Sequence, residues 1–278
     1  KKYWPIFFFF SIAAFAIGFI YPFIQGVYLS FCKFSTIKKA KFVGLANYQY
    51  ALTDESFYHS FGYTLAFAVV SVVLINVIAF MLALALTSKI KGKDIYRTVF
   101  FMPNLIGGIV LGYIWKTLLD CFLSLIGQPL LALNETWGFV GLVILMCWQQ
   151  IGYMMIIYIA GLQAIDTAYL EAAMIDGATK LQTLFRVKIP NVMSSITICL
   201  FLTLTNGFKL FDQNLALTGG EPAHKSEMLA LNIYDTFYAR SGKQWKGYGQ
   251  AKAVIFCILV IVISLIQLRA TKSKEVQA

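Results

Sequence analysis

Long uncharged stretches dominate the chain. Asp, Glu, Lys and Arg are absent from 3–32, 56–88, 98–115, 136–165, 189–208 and 253–268. A helix needs about 20 predominantly apolar residues to cross a hydrocarbon core roughly 30 Å thick. Five intervals approach or exceed that length, and the last reaches it if Lys252 snorkels from its end to the interface. The pattern predicts an all-α polytopic membrane protein. Its six transmembrane helices lie near 5–30, 60–87, 97–119, 138–163, 190–212 and 250–269, in one transmembrane domain covering 1–278. Pro103 should kink the third. A further apolar stretch, 121–134, is too short to span and holds Gly127-Gln-Pro129, so it reads as a loop or re-entrant segment.

Composition supports lipid as the solvent. The 278 residues are 59% hydrophobic and 13% charged, with a mean hydropathy of +0.72. Soluble domains carry about 25% charged residues, so this chain cannot cover a water-facing surface, which excludes a soluble enzyme, a disordered protein and a disulfide scaffold. The net charge of +10 would point to nucleic acid in a soluble protein. Here the basic residues sit between apolar runs and read as membrane-flanking loops instead.

An even number of spans puts both termini on one side. With the termini inside, that face carries Lys1, Lys2, Lys89, Lys91, Lys93, Arg97, Lys180, Arg186, Lys188, Arg269, Lys272 and Lys274. The other carries Lys33, Lys38, Lys39, Lys41, Lys116, Lys225, Arg240, Lys243 and Lys246. The bias follows the positive-inside rule weakly, and the 33–41 cluster opposes it. The apolar run after Lys1-Lys2 is too long for a signal-peptide core, so a retained first helix is expected. The chain opens on lysine, and residues upstream of it are expected.

Candidate chemistry is sparse. Cys32, Cys121, Cys147, Cys199 and Cys257 form no CxxC pair and read as small buried hydrophobes. His59 and His224 fall in loops. No HExxH, GxSxG or P-loop pattern is present, so no catalytic group, metal site or ATP site is expected in this chain. A membrane enzyme using Glu171 or Asp212 would need groups converging at one depth, and these two fall on opposite faces.

One polar segment interrupts the pattern: Asp166 to Pro190, DTAYLEAAMIDGATKLQTLFRVKIP. Asp166 or Thr167 can N-cap a short helix with Glu171 in its first turns. Ala172 and Ala173 leave a low surface, and Gly177 suits a C′ position. Thr179 and Gln182 fit a capping box for a second helix, which Pro190 bounds. Helix, glycine turn and helix are therefore predicted at the membrane surface.

This segment resembles the EAA loop of permease subunits of binding-protein-dependent ABC importers. Glu171-Ala172-Ala173, Asp176-Gly177-Ala178 and Ile189-Pro190 match in register, while Leu184 and Val187 depart mildly from the family's usual Phe and Ile. Phe42-Val-Gly44-Leu45-Ala-Asn47-Tyr48 resembles the GLxNY segment of carbohydrate-type permeases. Leu217-Thr218-Gly219-Gly220-Glu-Pro222, with Ile233-Tyr234 and Phe237, resembles their LTGGxP stretch and the motif that follows it. These markers point to the partner resembling the larger maltose-type permease subunit.

The resemblance implies a bacterial cytoplasmic membrane location with the loop, 164–189, and both termini in the cytoplasm. It implies a heterodimer with a second permease, two cytoplasmic ATPase subunits that carry ATP and Mg, and an extracellular solute-binding protein. Glu171, Ala172, Ala173, Asp176 and Gly177 would couple the chain to the ATPase. Transporter cargo sites lie near mid-membrane at polar or helix-breaking positions. By the family likeness the substrate pathway is assigned to Gln149, Gln150, Tyr153, Thr203 and Asn206, in the helices flanking the loop. Neutral amides and hydroxyls beside rings suit an uncharged sugar or oligosaccharide. Glycerol-phosphate or polyamine is the alternative cargo. Lys209 and Asp212, three residues apart, read as a structural pair or gate element rather than ligands.

Overall fold

The computed structural model describes residues 4–88, 91–240 and 242–273. Lys1, Lys2, Lys89 and Lys274 of the charge count lie outside the described residues. Five helices are long and apolar enough to cross a membrane: Phe8–Ser30, Glu55–Leu86, Gly108–Leu125, Glu135–Gln163 and Gln244–Lys272. A bent pair, Lys180–Asn191 with Met193–Phe208, makes a sixth when taken as one span. Below they are spans one to six in chain order, span five denoting the second helix of the bent pair, Met193–Phe208. Apolar runs fold this way because hydrocarbon offers backbone groups no partner, and a helix satisfies them internally.

Span three begins later than 97. The helix Lys93–Phe101 stops at a 3-10 turn, Met102–Leu105, and a new helix starts at Gly108. Pro103 lacks an N–H and the pair Gly107-Gly108 weakens a continuing helix, so the chain breaks rather than kinks. Span three then carries Lys116 and Asp120 to Leu125, and Asp120 accepts the Leu131 N–H at 2.9 Å.

The chain divides into two compact units. The first comprises Lys1–Tyr58 and Leu231–Leu259. Span one presents its apolar side chains outward, with Phe15, Phe19 and Phe23 stacked at 5.1 and 6.2 Å. After it, strands Cys32–Lys33 and Lys41–Phe42 pair antiparallel, Cys32 opposite Phe42. The last carbonyls of a helix have no partner within it. Here the buried Asn47 reaches back from the helix Ala46–Thr53 and donates to the Ser30 carbonyl at 2.7 Å and the Cys32 carbonyl at 3.0 Å. The Tyr48 and Ser30 hydroxyls pair at 2.6 Å. The Gly44-Leu45-Ala-Asn47-Tyr48 motif thus closes the end of span one.

Lys252 does not snorkel. It is fully buried, and its Nζ lies 2.7 Å from Asp54 Oδ2. It donates to Asn232 Oδ1 at 2.8 Å and Thr236 Oγ1 at 3.0 Å, and sits 5.5 Å from the centre of the Phe57 ring. Burial works against the charge of the Asp54 carboxyl. The Lys252 ammonium, with the Ser56 hydroxyl and N–H, outweighs it and holds Asp54 below the usual carboxylate range.

The second unit comprises His59–Ala230 and Val260–Ala278. Its core is built on span four, whose Leu142, Leu145, Met146, Met154, Met155 and Tyr158 are buried with Phe67, Ile75 and Leu111. At Gly152 the Phe100 carbonyl approaches to where a Cβ would sit 1.8 Å away, so no larger residue fits there. His59 lies within the helix of span two rather than in a loop, 4.0 Å from Glu135. Cys147 and Cys199 are buried, whereas Cys121 is exposed.

Candidate functional site

The polar segment folds from its caps outward. Asp166 Oδ1 accepts the Ala168 N–H at 3.0 Å and opens the helix Thr167–Ile175. At its other end the Gly177 N–H reaches Met174 O at 3.1 Å and the Ala178 N–H reaches Ala173 O at 2.9 Å. These are the two bonds of a Schellman ending. Gly177 has φ +74 with open space around its Cα, so glycine is required there by conformation and not by crowding. Thr179 and Gln182 form a reciprocal capping box, N–H to Oε1 at 2.8 Å and N–H to Oγ1 at 3.3 Å. A π-helical turn, Leu184–Lys188, leads to Asn191, and the chain bends by 71° into Met193–Phe208.

Among the predicted coupling residues, Glu171, Ala172, Asp176 and Gly177 are exposed and Ala173 is buried. The large apolar side chains of the same segment also point outward: Tyr169, Met174, Ile175, Leu181 and Phe185, with Ile175 85% exposed. Exposed large apolar side chains grouped in one polar segment have the composition of a protein contact.

The predicted pathway residues fall into two groups. Gln149 and Gln150 are nearly buried on span four. Gln149 donates to Ile106 O at 3.2 Å and accepts from Gln213 at 2.8 Å. Gln150 accepts from Asn206 of span five at 3.5 Å, the limit of a hydrogen bond. Tyr153 is half-buried with its ring 6.4 Å from Phe101. Trp148 is 43% exposed and meets Trp115 edge to face at 5.5 Å. Together these form a neutral, partly open set of amides with rings at its margin.

Thr203 lies in a separate hydrogen-bonded chain. It is fully buried, donates to Cys199 O at 2.7 Å and accepts from Asn76 of span two at 2.9 Å. Tyr158 donates to Asn76 Oδ1 at 2.7 Å. The chain Tyr158–Asn76–Thr203 ties spans four, two and five together and spends its polar capacity internally. Gln213 was the residue that sequence reasoning passed over, since it lies beyond the end of span five. Lys209 and Asp212 make no ion pair among the described residues. Span five stops at Phe208 and Asp212 opens a separate short helix, Asp212–Leu217, so their spacing is not that of one helical turn.

Residues 76–273 match the family described as "Binding-protein-dependent transport system inner membrane component". The chain belongs to this family. The match runs from inside span two through spans three, four, five and six, and includes every residue of the coupling segment and pathway. Two relatives extend over almost the whole chain. The "Probable starch degradation products transport system permease protein" of Thermoanaerobacterium thermosulfurigenes is 42% identical over 263 residues, covering 92% of this chain and 89% of that protein. The "Multiple sugar-binding transport system permease protein" of Streptococcus mutans is 32% identical over 286 residues, covering 99% and 98%. Among solved structures, a chain of a bacterial ABC transporter involved in import of the acidic polysaccharide alginate superposes with a TM-score of 0.82. It is 20% identical and covers 98% of this chain and 96% of its own, a likeness of fold. The family places the protein in the inner membrane as a transport component.

Proposed function

We propose that this chain is one permease subunit of an ATP-driven importer that moves a neutral sugar or oligosaccharide by alternating access. The supporting observation is the apolar and acidic surface of 167–185, held outward between a Schellman turn and a capping box. A helix of this kind fits a groove on a partner. We assign that partner as the cytoplasmic ATPase, with Glu171, Ala172, Ala173, Asp176 and Gly177 at the contact. The subunit works with a second permease, two ATPase subunits that hold ATP and Mg, and an extracellular solute-binding protein. Both termini face the cytoplasm.

The segment is continuous with span four on one side and, through the 71° bend, with span five on the other. A displacement imposed on it by ATPase closure therefore reaches the helices that carry Gln149, Gln150, Tyr153 and Asn206. Coupling in this scheme means that ATPase state and cargo access bias the same two-state element. The sugar reading draws support from the names of the two relatives, a starch degradation products and a multiple sugar-binding transport system permease, and from the neutral amides beside tryptophan and tyrosine rings.

The test is the pair Glu171→Lys and Gly177→Leu in the reconstituted importer. Sugar uptake should fall about tenfold or more while each variant still inserts and folds. Wild-type uptake and wild-type ATPase stimulation in both variants would remove the coupling role. Mass spectrometry of the ligand carried by the co-purified binding protein tests the cargo, and a phosphorylated or cationic ligand would overturn the sugar.

A further inference from the structure

The hairpin after span one carries four exposed lysines, Lys33, Lys38, Lys39 and Lys41, and all four line one open cavity of about 580 Å³ with Ser35 and Ala40. Among the described residues none of the four makes an ion pair. Four ammonium groups around one concavity repel each other, and an external anion is the simplest relief.

The cavity is built on a fixed base. Asn47 holds the carbonyls of Ser30 and Cys32, and Lys246 Nζ donates to the Ser35 carbonyl at 2.9 Å. Its depth is also fixed, because strand Cys32–Lys33 begins two residues after span one ends at Ser30. Beside the lysines the same stretch turns large apolar side chains outward: Ile37 is 57%, Phe42 67% and Leu45 62% exposed. Ammonium groups next to outward apolar side chains at the end of a span have the composition of an interfacial lipid contact.

We propose that this hairpin is a binding site for the phosphate-bearing headgroup of an anionic phospholipid, its glycerol and acyl portion lying against Ile37 and Phe42. The apolar side chains select this ligand over the acidic surface of a soluble protein, which would leave them in water, and over free phosphate, which has no use for them. The site also accounts for a lysine cluster that runs against the charge bias of the other loops.

The test uses the complete membrane complex in nanodiscs of phosphatidylcholine with a rising fraction of phosphatidylglycerol. Retained lipid is read by native mass spectrometry and stability by thermal melting. The wild type should retain phosphatidylglycerol preferentially. The triple variant K38Q/K39Q/K41Q should bind it about tenfold or more weakly, and added salt should shrink the difference. The charge-matched variant K209Q/K225Q/K272Q should match the wild type, and the single variant Lys39→Gln should fall between. Phe42→Ser should weaken lipid retention with all four lysines in place. Equal lipid retention by wild type and triple variant would overturn the site. So would stabilisation by inorganic phosphate equal to that by lipid, which would make it a free-anion site. Loss of binding-protein association with unchanged lipid retention would make it a protein contact. These readouts do not depend on transport, so their failure leaves the proposed function standing.

Discussion

The Asp54–Lys252 cluster and the Gln149–Gln150 cluster both place polar side chains in apolar surroundings, and they are completed to different degrees. Around Lys252, a carboxylate, an amide and a hydroxyl lie within 3.0 Å, and an aromatic ring stands at 5.5 Å. Around Gln150 the hydrogen-bond partner among the described residues is one amide at 3.5 Å. A buried charge left short of partners costs several kcal/mol, whereas a neutral amide costs about 1–3 kcal/mol. The charged cluster is therefore sealed as structure. The neutral one keeps capacity in reserve, and under the proposed function that capacity is what a sugar hydroxyl would take up.

The contrast can be broken at its strongest point first. Lys252→Met should leave Asp54 buried without its cation and cost about 3–5 kcal/mol in thermal or denaturant unfolding of the purified protein. A loss below about 1 kcal/mol would mean that the pair is not sealed. Asn76→Leu interrupts the Tyr158–Asn76–Thr203 chain and should cost about 1–2 kcal/mol, with uptake per folded molecule unchanged. If uptake collapsed in a fully folded Asn76→Leu protein, Thr203 would return to the pathway. Gln150→Leu should change stability by less than about 1 kcal/mol, its bond being at the distance limit. Its sugar uptake should nevertheless fall about tenfold.

The smallest effect is a pH drift. A carboxyl held below its ordinary value contributes stability that is complete above the unfolded pKa, about 3.9, and that is lost as pH falls through the lowered folded value. Melting temperatures should therefore show wild type well above Asp54→Asn at neutral pH, with the gap narrowing only in strongly acidic buffer. A gap that stayed constant down to that range would separate Asp54 from the effect.

Much of this was legible in the sequence because it is local. The uncharged runs at 56–88 and 136–165 became spans two and four since hydrocarbon permits little else. The caps at Asp166, Gly177 and Thr179 were readable because each bond closes within five residues. The Asp54–Lys252 pair was not readable, because the partners lie far apart in sequence and an isolated lysine at the end of an apolar run looks like a snorkelling one. The partners of Thr203 and of Gln149 were unreadable for the same reason. Hydropathy marks a polar residue within a span, but only the packed neighbours decide whether its hydroxyl is already spent on Asn76 or its amide turns toward Gln149. The late start of span three followed from Pro103 and Gly107-Gly108, signals that point to a break without fixing which side keeps the membrane.

No part of the most apolar window of span one is buried within the chain. During biosynthesis this helix must therefore hold its place in the bilayer by its own hydrophobicity, before any of its chain's later helices exist to receive it. Its phenylalanine-rich surface is left for lipid or for another subunit to cover. An order of assembly follows: a first helix inserted early and on its own, and a bundle around span four that matures behind it.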